Sequence, residues 1–150
     1  MSIMAFKCGV SYVEGLIILV TAFMLAVGHA NTIVIGGAEN WHFGFNYTNW
    51  AFQNSPLYLN DTLVFKYDPP NGTTFPHSVY LLRDFRSFLR CDLRRAKRVA
   101  SVTQGGGDGF KFVMKRWQPY YFACGERAGF HCNVGMMKFA VMPLPRCHIW

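Results

Sequence analysis

A group of sulfur and imidazole side chains lies between two short, strand-like segments near the C-terminus. Cys124, His131, Cys132 and Met136 belong to the stretch Cys-Gly-Glu-Arg-Ala-Gly-Phe-His-Cys-Asn-Val-Gly-Met, which follows Tyr-Tyr-Phe-Ala and ends just before Met-Lys-Phe-Ala-Val. A loop held by a rigid pair of strands brings its side chains to one point. This segment therefore favours a β-rich fold that carries a convergent set of donor atoms.

The rest of the chain also has the pattern of short strands separated by turns. Apolar residues alternate with polar ones or form short β-branched and aromatic runs, which is typical of half-buried strands. The predicted strands span 32–35, 57–67, 110–115, 120–123 and 137–141. Only the segment 85–98 has the composition of a helix. These features predict an all-β sandwich with a short helix.

The N-terminus has the pattern of a secretory signal peptide. Lys7 supplies a positive charge, an apolar run covers 15–27, and small residues follow at Gly28 and Ala30. We expect cleavage after Ala30, which leaves one domain at 31–150 with no further segment that could anchor it in a membrane. The apolar run would otherwise be a signal anchor. The predicted location is therefore extracellular, in the cell wall or the space around it.

Cysteine usage leaves two interpretations open. Four cysteines follow the predicted cleavage site, namely Cys91, Cys124, Cys132 and Cys147. In an oxidising compartment they could form two disulfides, with three ways of pairing. Alternatively, Cys124 is reserved as a metal ligand, which leaves one disulfide and one spare thiol.

The domain is strongly basic, and much of its positive charge lies in one segment. Removing Lys7 and Glu14 with the signal peptide leaves the net charge at +7. Segment 83–98 contains six arginines and Lys97 but only two acidic residues. Such a segment is either a solvated surface or a binding region for an acidic cell-wall polymer or an acidic redox partner. No nucleic-acid motif accompanies it, so nucleic acid is not expected as a partner.

Three Asn-x-Ser/Thr triplets are predicted glycosylation sites in a secreted chain. They begin at Asn46, Asn60 and Asn71. Asn71 lies in a turn rich in proline and glycine and is the best of the three, whereas Asn46 lies among aromatic residues and could instead be packed.

The donor types near the C-terminus indicate a mononuclear copper site. The thiolate of Cys124, the imidazole of His131, the thioether of Met136 and a further imidazole from His77 make up a trigonal His₂Cys set with a weak axial Met. Zinc would instead prefer four Cys or His ligands and has no need of a thioether. No serine, histidine and acid arrangement indicates a hydrolase, so the chain is not expected to be an enzyme.

At these residues the sequence resembles the phytocyanins, the secreted blue-copper proteins of plants, and most closely their plantacyanin or basic blue protein type. The resemblance extends over nearly all of 31–150. It rests on the opening Thr32-Ile-Val-Ile-Gly-Gly, on Trp41-His-Phe-Gly-Phe-Asn-Tyr-Thr-Asn-Trp-Ala, on Leu63-Val-Phe-Lys-Tyr and on Tyr120-Tyr-Phe-Ala-Cys. His77, His131-Cys132 and Met136 complete the pattern.

The resemblance implies a cupredoxin-like Greek-key β-sandwich that carries one electron on a single copper ion. It implies His77, Cys124, His131 and Met136 as ligands and a disulfide between Cys91 and Cys132. The expected partner is an extracellular redox protein. The alternative function is that of a copper-free cupredoxin-like module in wall structure or signalling, as in family members that have lost the ligands.

The chain departs from the family pattern at three places. Six residues separate Cys124 from His131, where the family usually has four. One additional methionine follows Gly135: the spacing from His131 selects Met136 as the axial ligand, whereas counting back from the last strand selects Met137. Finally, Cys147 and His148 in the tail have no counterpart, and Cys147 could bridge to another molecule or remain a free thiol.

Overall fold

A computed structural model describes residues 29–146. Nearly all of the predicted signal peptide, together with Cys147 and His148, therefore lies outside the described residues. Within 29–146, no helix is long and apolar enough to cross a membrane.

The described chain forms seven short strands and three short helices. The strands are β1 (Thr32–Val34), β2 (Thr62–Phe65), β3 (Val79–Leu82), β4 (Lys97–Ala100), β5 (Phe110–Val113), β6 (Tyr120–Ala123) and β7 (Lys138–Val141). The helices are α1 (Tyr47–Gln53), α2 (Phe85–Arg90) and α3 (Phe130–Asn133), and a 3₁₀ turn covers Gly37–Glu39.

The strands form two sheets. The first has the order β1-β2-β5, with β1 parallel and β5 antiparallel to β2. The second has the order β4-β3-β6-β7 and is antiparallel throughout. The predicted two-sheet β-sandwich is thus confirmed.

Aromatic side chains from both sheets fill the space between them. Phe65 on β2 contacts Phe122 on β6, with ring centroids 5.3 Å apart, and Phe139 on β7 at 6.1 Å. All three rings are fully buried. Burying side chains of this size provides about 2 to 3 kcal/mol each, so the aromatic centre is a main source of the sandwich's stability.

Four of the five predicted strands are shorter in the structure than the sequence pattern suggests, and strands β1 and β5 end one and two residues before the predicted limits. The strand predicted over 57–67 is regular only at Thr62–Phe65, because Asn60 adopts a positive φ of 69° and the chain turns there. The carboxylate of Asp61 fixes this turn by accepting hydrogen bonds from the backbone N–H groups of Asn31 and Tyr58. The strand predicted over 137–141 begins one residue later, at Lys138.

The helix in segment 85–98 is shorter than predicted, and the prediction was wrong for the second half of the segment. It ends at Arg90 because Cys91 adopts the left-handed conformation, with a φ of 50°. The chain then turns through Asp92, and Lys97–Ala100 form the edge strand β4. Helices α1 and α3 and strands β3 and β4 were not predicted as such.

Candidate metal centre

Two neighbouring strands bring the first two predicted ligands to the same end of the second sheet. Cys124 directly follows β6, and His77 lies two residues before β3. The strands are antiparallel with Tyr80 opposite Ala123, so the start of β3 lies beside the end of β6. Helix α3 follows the loop after Cys124 and carries His131.

The structure brings His77, Cys124 and His131 together. One ligand atom from each lies within 4.8 Å of the others. The Sγ of Cys124 is 3.6 Å from Nδ1 of His131, and the centroids of the two imidazole rings are 5.2 Å apart. Cys124 is fully buried, and the two histidines are 8% or less exposed. Three soft or borderline donors thus converge in a site from which water is largely excluded.

Ser78 connects the two sides of this centre, although nothing in the sequence indicated this role. Its backbone N–H points at the Sγ of Cys124 at 3.5 Å, and its Oγ accepts a hydrogen bond from the N–H of Gly125 at 3.3 Å. The indole N–H of Trp41 donates to the Ser78 carbonyl at 3.1 Å. These bonds hold the sulfur and the His77 segment in register, as outer partners of metal ligands commonly do.

The polar groups of the centre fit a bound cation. In the part of the chain that the structure describes, Nδ1 of His77 is buried without a hydrogen-bond partner. An orphaned buried acceptor is unfavourable unless something binds it. Burial raises the pKa of the Cys124 thiol, and the hydrogen bond from the Ser78 N–H partly opposes that rise. A cation beside the sulfur would stabilise the thiolate and satisfy the imidazole.

The two buried histidines make the stability of the metal-free protein depend on pH. Burial lowers the pKa of His77 to about 4, with the charge of His131 adding to the effect, and burial also lowers the pKa of His131. In the unfolded chain both pKa values are near 6.5. Below pH 6.5 the unfolded state therefore takes up protons first, and the folded state loses stability. For His77 we expect a loss of about 3 kcal/mol between pH 6.5 and pH 4.

Urea unfolding of the metal-free protein at pH 7 and at pH 4.5 measures this dependence. The variant His77→Asn should lose clearly less stability over the same interval, because its side chain does not titrate. Equal losses in the two proteins would show that His77 does not contribute.

The longer loop between Cys124 and His131 still returns the histidine to the centre. Arg127 and Ala128 both adopt positive φ values of 51°, and the Phe130 N–H donates to the Arg127 carbonyl at 3.0 Å. This tight turn lies on the surface, where Arg127 and Ala128 are exposed. The longer loop therefore still leaves the distance between the Cys124 sulfur and the His131 imidazole short.

The two methionines after Gly135 differ in their surroundings. Met136, the ligand selected by spacing, has a φ of 54° and is 42% exposed. Met137 is fully buried, and its backbone carbonyl accepts from the Cys124 N–H at 2.9 Å while its N–H donates to the His131 carbonyl at 3.1 Å. The backbone of Met137 thus bridges two of the three converging ligands.

A disulfide joins Cys91 and Cys132. Cys91 ends helix α2, and Cys132 follows His131 within α3, so the bond ties α2 to the helix that carries a candidate ligand. Cys124 is the free cysteine among the described residues. Of the two interpretations of the cysteines, the structure thus contains the one in which Cys124 remains a thiol.

An aromatic edge of Phe43 and Phe130 covers His131 on its solvent side. The Phe43 ring meets the His131 ring edge-on at 5.2 Å and stacks on Phe130 at 5.7 Å. Gly135 is required beneath Phe43, because a Cβ there would collide with that ring and would lie 2.7 Å from the His131 carbonyl. Phe43 and Phe130 are 39% and 45% exposed, so the centre has an apolar surface over one histidine.

All three predicted glycosylation asparagines are exposed. The Oδ1 of Asn46 caps helix α1 by accepting from the Asn49 N–H at 3.0 Å. The Oδ1 of Asn71 accepts from the backbone of Thr73 and Thr74 at 2.8 Å each. Their glycosylation stays a prediction.

Known proteins resemble the chain in sequence and in fold. No family profile matches it. Blue copper protein 1a of Medicago truncatula is 25% identical over 134 residues, which cover 85% of this chain and 68% of that protein. The structure of the cucumber basic protein, a blue copper protein, is 25% identical with a TM-score of 0.57, over 75% of this chain and 99% of that one. Cucumber stellacyanin shares the fold, with 20% identity and a TM-score of 0.59 over 79% of this chain and 100% of its own.

A two-sheet sandwich with a His-Cys-His cluster at one end defines a cupredoxin-like protein. Within that class the chain is similar to the phytocyanins, and these relatives support the resemblance predicted from its motifs. The donor set fits a single copper ion.

Proposed function

We propose that the protein is a secreted one-electron carrier with one copper ion bound by His77, Cys124 and His131. The observation that carries this proposal is the convergence of one thiol and two imidazoles in a buried site. Thiolate and imidazole together suit copper, and their trigonal arrangement with a weak axial ligand is that of blue-copper electron-transfer sites. A bound copper ion would supply a reversible one-electron couple.

The chain's own residues would keep this site rigid during electron transfer. Cys124 is held by the hydrogen bond from the Ser78 N–H, and its backbone pairs with Met137 on the last strand. His131 is followed by a disulfide-bonded cysteine. Because both sides are fixed by bonds that do not involve the metal, the ligands would move little between the oxidised and reduced states.

We propose Met137 as the axial ligand, in preference to Met136. Strands β6 and β7 pair with Phe122 opposite Phe139 and Ala123 opposite Lys138, so Met137 comes opposite Cys124. Directly opposed residues of an antiparallel pair project to the same face, with Cβ atoms about 5 Å apart. Met137 and Cys124 therefore share the buried face, in agreement with their complete burial. Met136, in contrast, is 42% exposed.

Replacing each methionine by leucine separates these two assignments. Leucine has a similar volume and should cost less than about 1.5 kcal/mol of stability, but it removes the thioether. Met137→Leu should shift the visible spectrum and the reduction potential of the copper-loaded protein, because the axial ligand tunes both. Met136→Leu, measured in the same way, should leave both unchanged. The opposite result would return the axial role to Met136.

We propose that electrons leave the copper site through His131, because the aromatic edge of Phe43 and Phe130 covers this ligand. A flat, partly exposed aromatic surface over one ligand lets a redox partner approach the site without hydration of the metal. Small, transient interfaces are typical of electron-transfer encounters. The partner that we propose is another extracellular redox protein.

Secretion is supported by the N-terminal pattern and by the disulfide between Cys91 and Cys132, since such bonds persist in oxidising compartments. To test secretion, the full chain is expressed in a eukaryotic host, and the intact mass of the protein that the host releases is measured. A mass that corresponds to residues 31–150, with or without glycans, is expected. Retention of the complete chain inside the cell would contradict it.

Electron transfer is tested on copper-loaded protein reduced with ascorbate and then freed of the reductant. Addition of ferricyanide should reoxidise the protein with one electron per chain and restore the original visible spectrum over repeated cycles. A protein that binds copper without exchanging electrons reversibly would fit the alternative of a wall or signalling module.

A further inference from the structure

The arginine-rich segment folds into a cleft on the surface of the second sheet. The cleft has a volume of about 610 Å³ and is formed by the end of β3, helix α2 and the turn that follows it. Five arginines line it, together with two aspartates and one serine. Sequence alone could not separate a spread of solvated charges from a concave site, and the structure shows that these arginines surround one cavity.

The two aspartates of the cleft are already engaged within the protein. Asp84 caps helix α2 by accepting from the Ser87 N–H at 2.8 Å. Asp92 binds Arg94 through both carboxylate oxygens, at 2.9 and 2.6 Å. The cleft therefore contains only one internal guanidinium–carboxylate pair.

Four guanidinium groups of the cleft remain without an acidic partner. Over residues 29–146, the ion pairs involve none of Arg83, Arg86, Arg90 and Arg95. All four residues are exposed. Arginines gathered around one cavity repel each other, and an anionic ligand that enters it would relieve this repulsion.

The backbone under the cleft is held in place before any ligand arrives. The Nζ of Lys138 on β7 donates to the last carbonyls of α2, at 3.3 Å to Phe88 and 3.1 Å to Leu89. The residue after the helix, Cys91, is fixed by its disulfide to Cys132. A preorganised surface reduces the entropy lost on binding.

We propose that this arginine cleft binds a linear polysaccharide with repeated carboxylate groups. A planar guanidinium matches a carboxylate in a bidentate manner, and every cation of the cleft is an arginine. Repeated carboxylates along one chain can reach several guanidinium groups at once. No aromatic side chain lines the cleft for base stacking, which disfavours single-stranded nucleic acid. The extracellular location comes from the proposed function, but the binding does not depend on the metal.

Binding at the cleft would tether the protein and leave its metal centre accessible. The residues that line the cleft include neither a candidate ligand nor Phe43 or Phe130. An electron carrier held on an anionic matrix could therefore still present the aromatic edge to a redox partner.

The test measures binding of the secreted protein to polygalacturonate at low and at physiological salt, with fully methyl-esterified polygalacturonate as the neutral polymer of the same backbone. We expect retention on the free acid alone, weakening as salt rises. The double variant Arg86→Gln/Arg90→Gln should raise the dissociation constant about tenfold, since each exposed ion pair contributes up to about 1 kcal/mol.

The matched control is Lys115→Gln/Arg116→Gln, which removes the same charge from exposed residues beyond β5 that lie outside the cleft. It should change the constant less than about twofold, because its charges act only at long range. Equal weakening by both variants, no binding to the free acid, or tighter binding to polyglutamate would each overturn the proposal. Copper-loaded and metal-free protein should bind alike, so failure here is distinguishable from failure of the copper site.

Discussion

Cys124→Ser should abolish the intense visible absorption of the copper-loaded protein completely. That absorption requires a thiolate bound to Cu(II), and Cys124 is the free cysteine of the described residues, with its Sγ 3.6 Å from Nδ1 of His131. Serine fits the same space but offers a hydroxyl, which remains protonated and is a poor ligand for copper. Absorption spectra of both proteins, loaded with one equivalent of Cu(II), measure the effect.

A matched control replaces a histidine outside the centre. His42 is partly exposed and its Nε2 lies 3.3 Å from a carboxylate oxygen of Glu39. His42→Gln should leave the visible spectrum of the loaded protein unchanged. An unchanged spectrum in Cys124→Ser would mean that copper binds elsewhere, and equal losses in both variants would contradict a specific role of Cys124.

Removing the disulfide should strongly reduce the free energy of unfolding of the protein. The bond closes a loop with a sequence separation of 41, for which the chain-entropy model gives about 4 kcal/mol. The double variant Cys91→Ala/Cys132→Ala should therefore unfold at a much lower urea concentration than the natural protein. Since Cys132 adjoins His131, we also expect the variant to hold copper less tightly.

Reduction supplies the control for this prediction. Dithiothreitol should lower the unfolding midpoint of the metal-free natural protein to that of the double variant, and it should leave the variant unchanged. A variant as stable as the natural protein would show that packing around α2 and α3 suffices without the bond.

The fold was predictable where side-chain alternation is regular. Strand β5 follows from apolar residues at every second position, and strand β6 and the position of β7 follow from short aromatic and apolar runs. The helix prediction for segment 85–98 was wrong because the backbone conformation changes at Cys91. A residue other than glycine that adopts the left-handed conformation leaves no signal in the composition. The tertiary constraint there is the disulfide, which overrides local preference.

The sequence predicted the residue types of the candidate site, but it did not determine which methionine lies beside Cys124. The cysteine and histidine after β6 could be found from their spacing, whereas His77 lies 47 residues before Cys124 and required the family pattern. The methionine could not be assigned from spacing, since one additional residue separates His131 from the last strand. Only the pairing of β6 with β7 places Met137 opposite Cys124.

The role of Ser78 had no signal in the sequence. Its contribution comes from a backbone N–H and a hydroxyl that meet Cys124 and Gly125 across the sheet. Such bonds depend on strand register rather than on residue type, so they become visible only in three dimensions.

X-ray absorption at the copper edge of the loaded protein tests the central claim most directly. We predict one copper ion per chain with one short copper–sulfur bond and two copper–nitrogen bonds, which correspond to Cys124, His77 and His131. Coordination by nitrogen and oxygen alone, or more than one sulfur at the short distance, would contradict the proposed site.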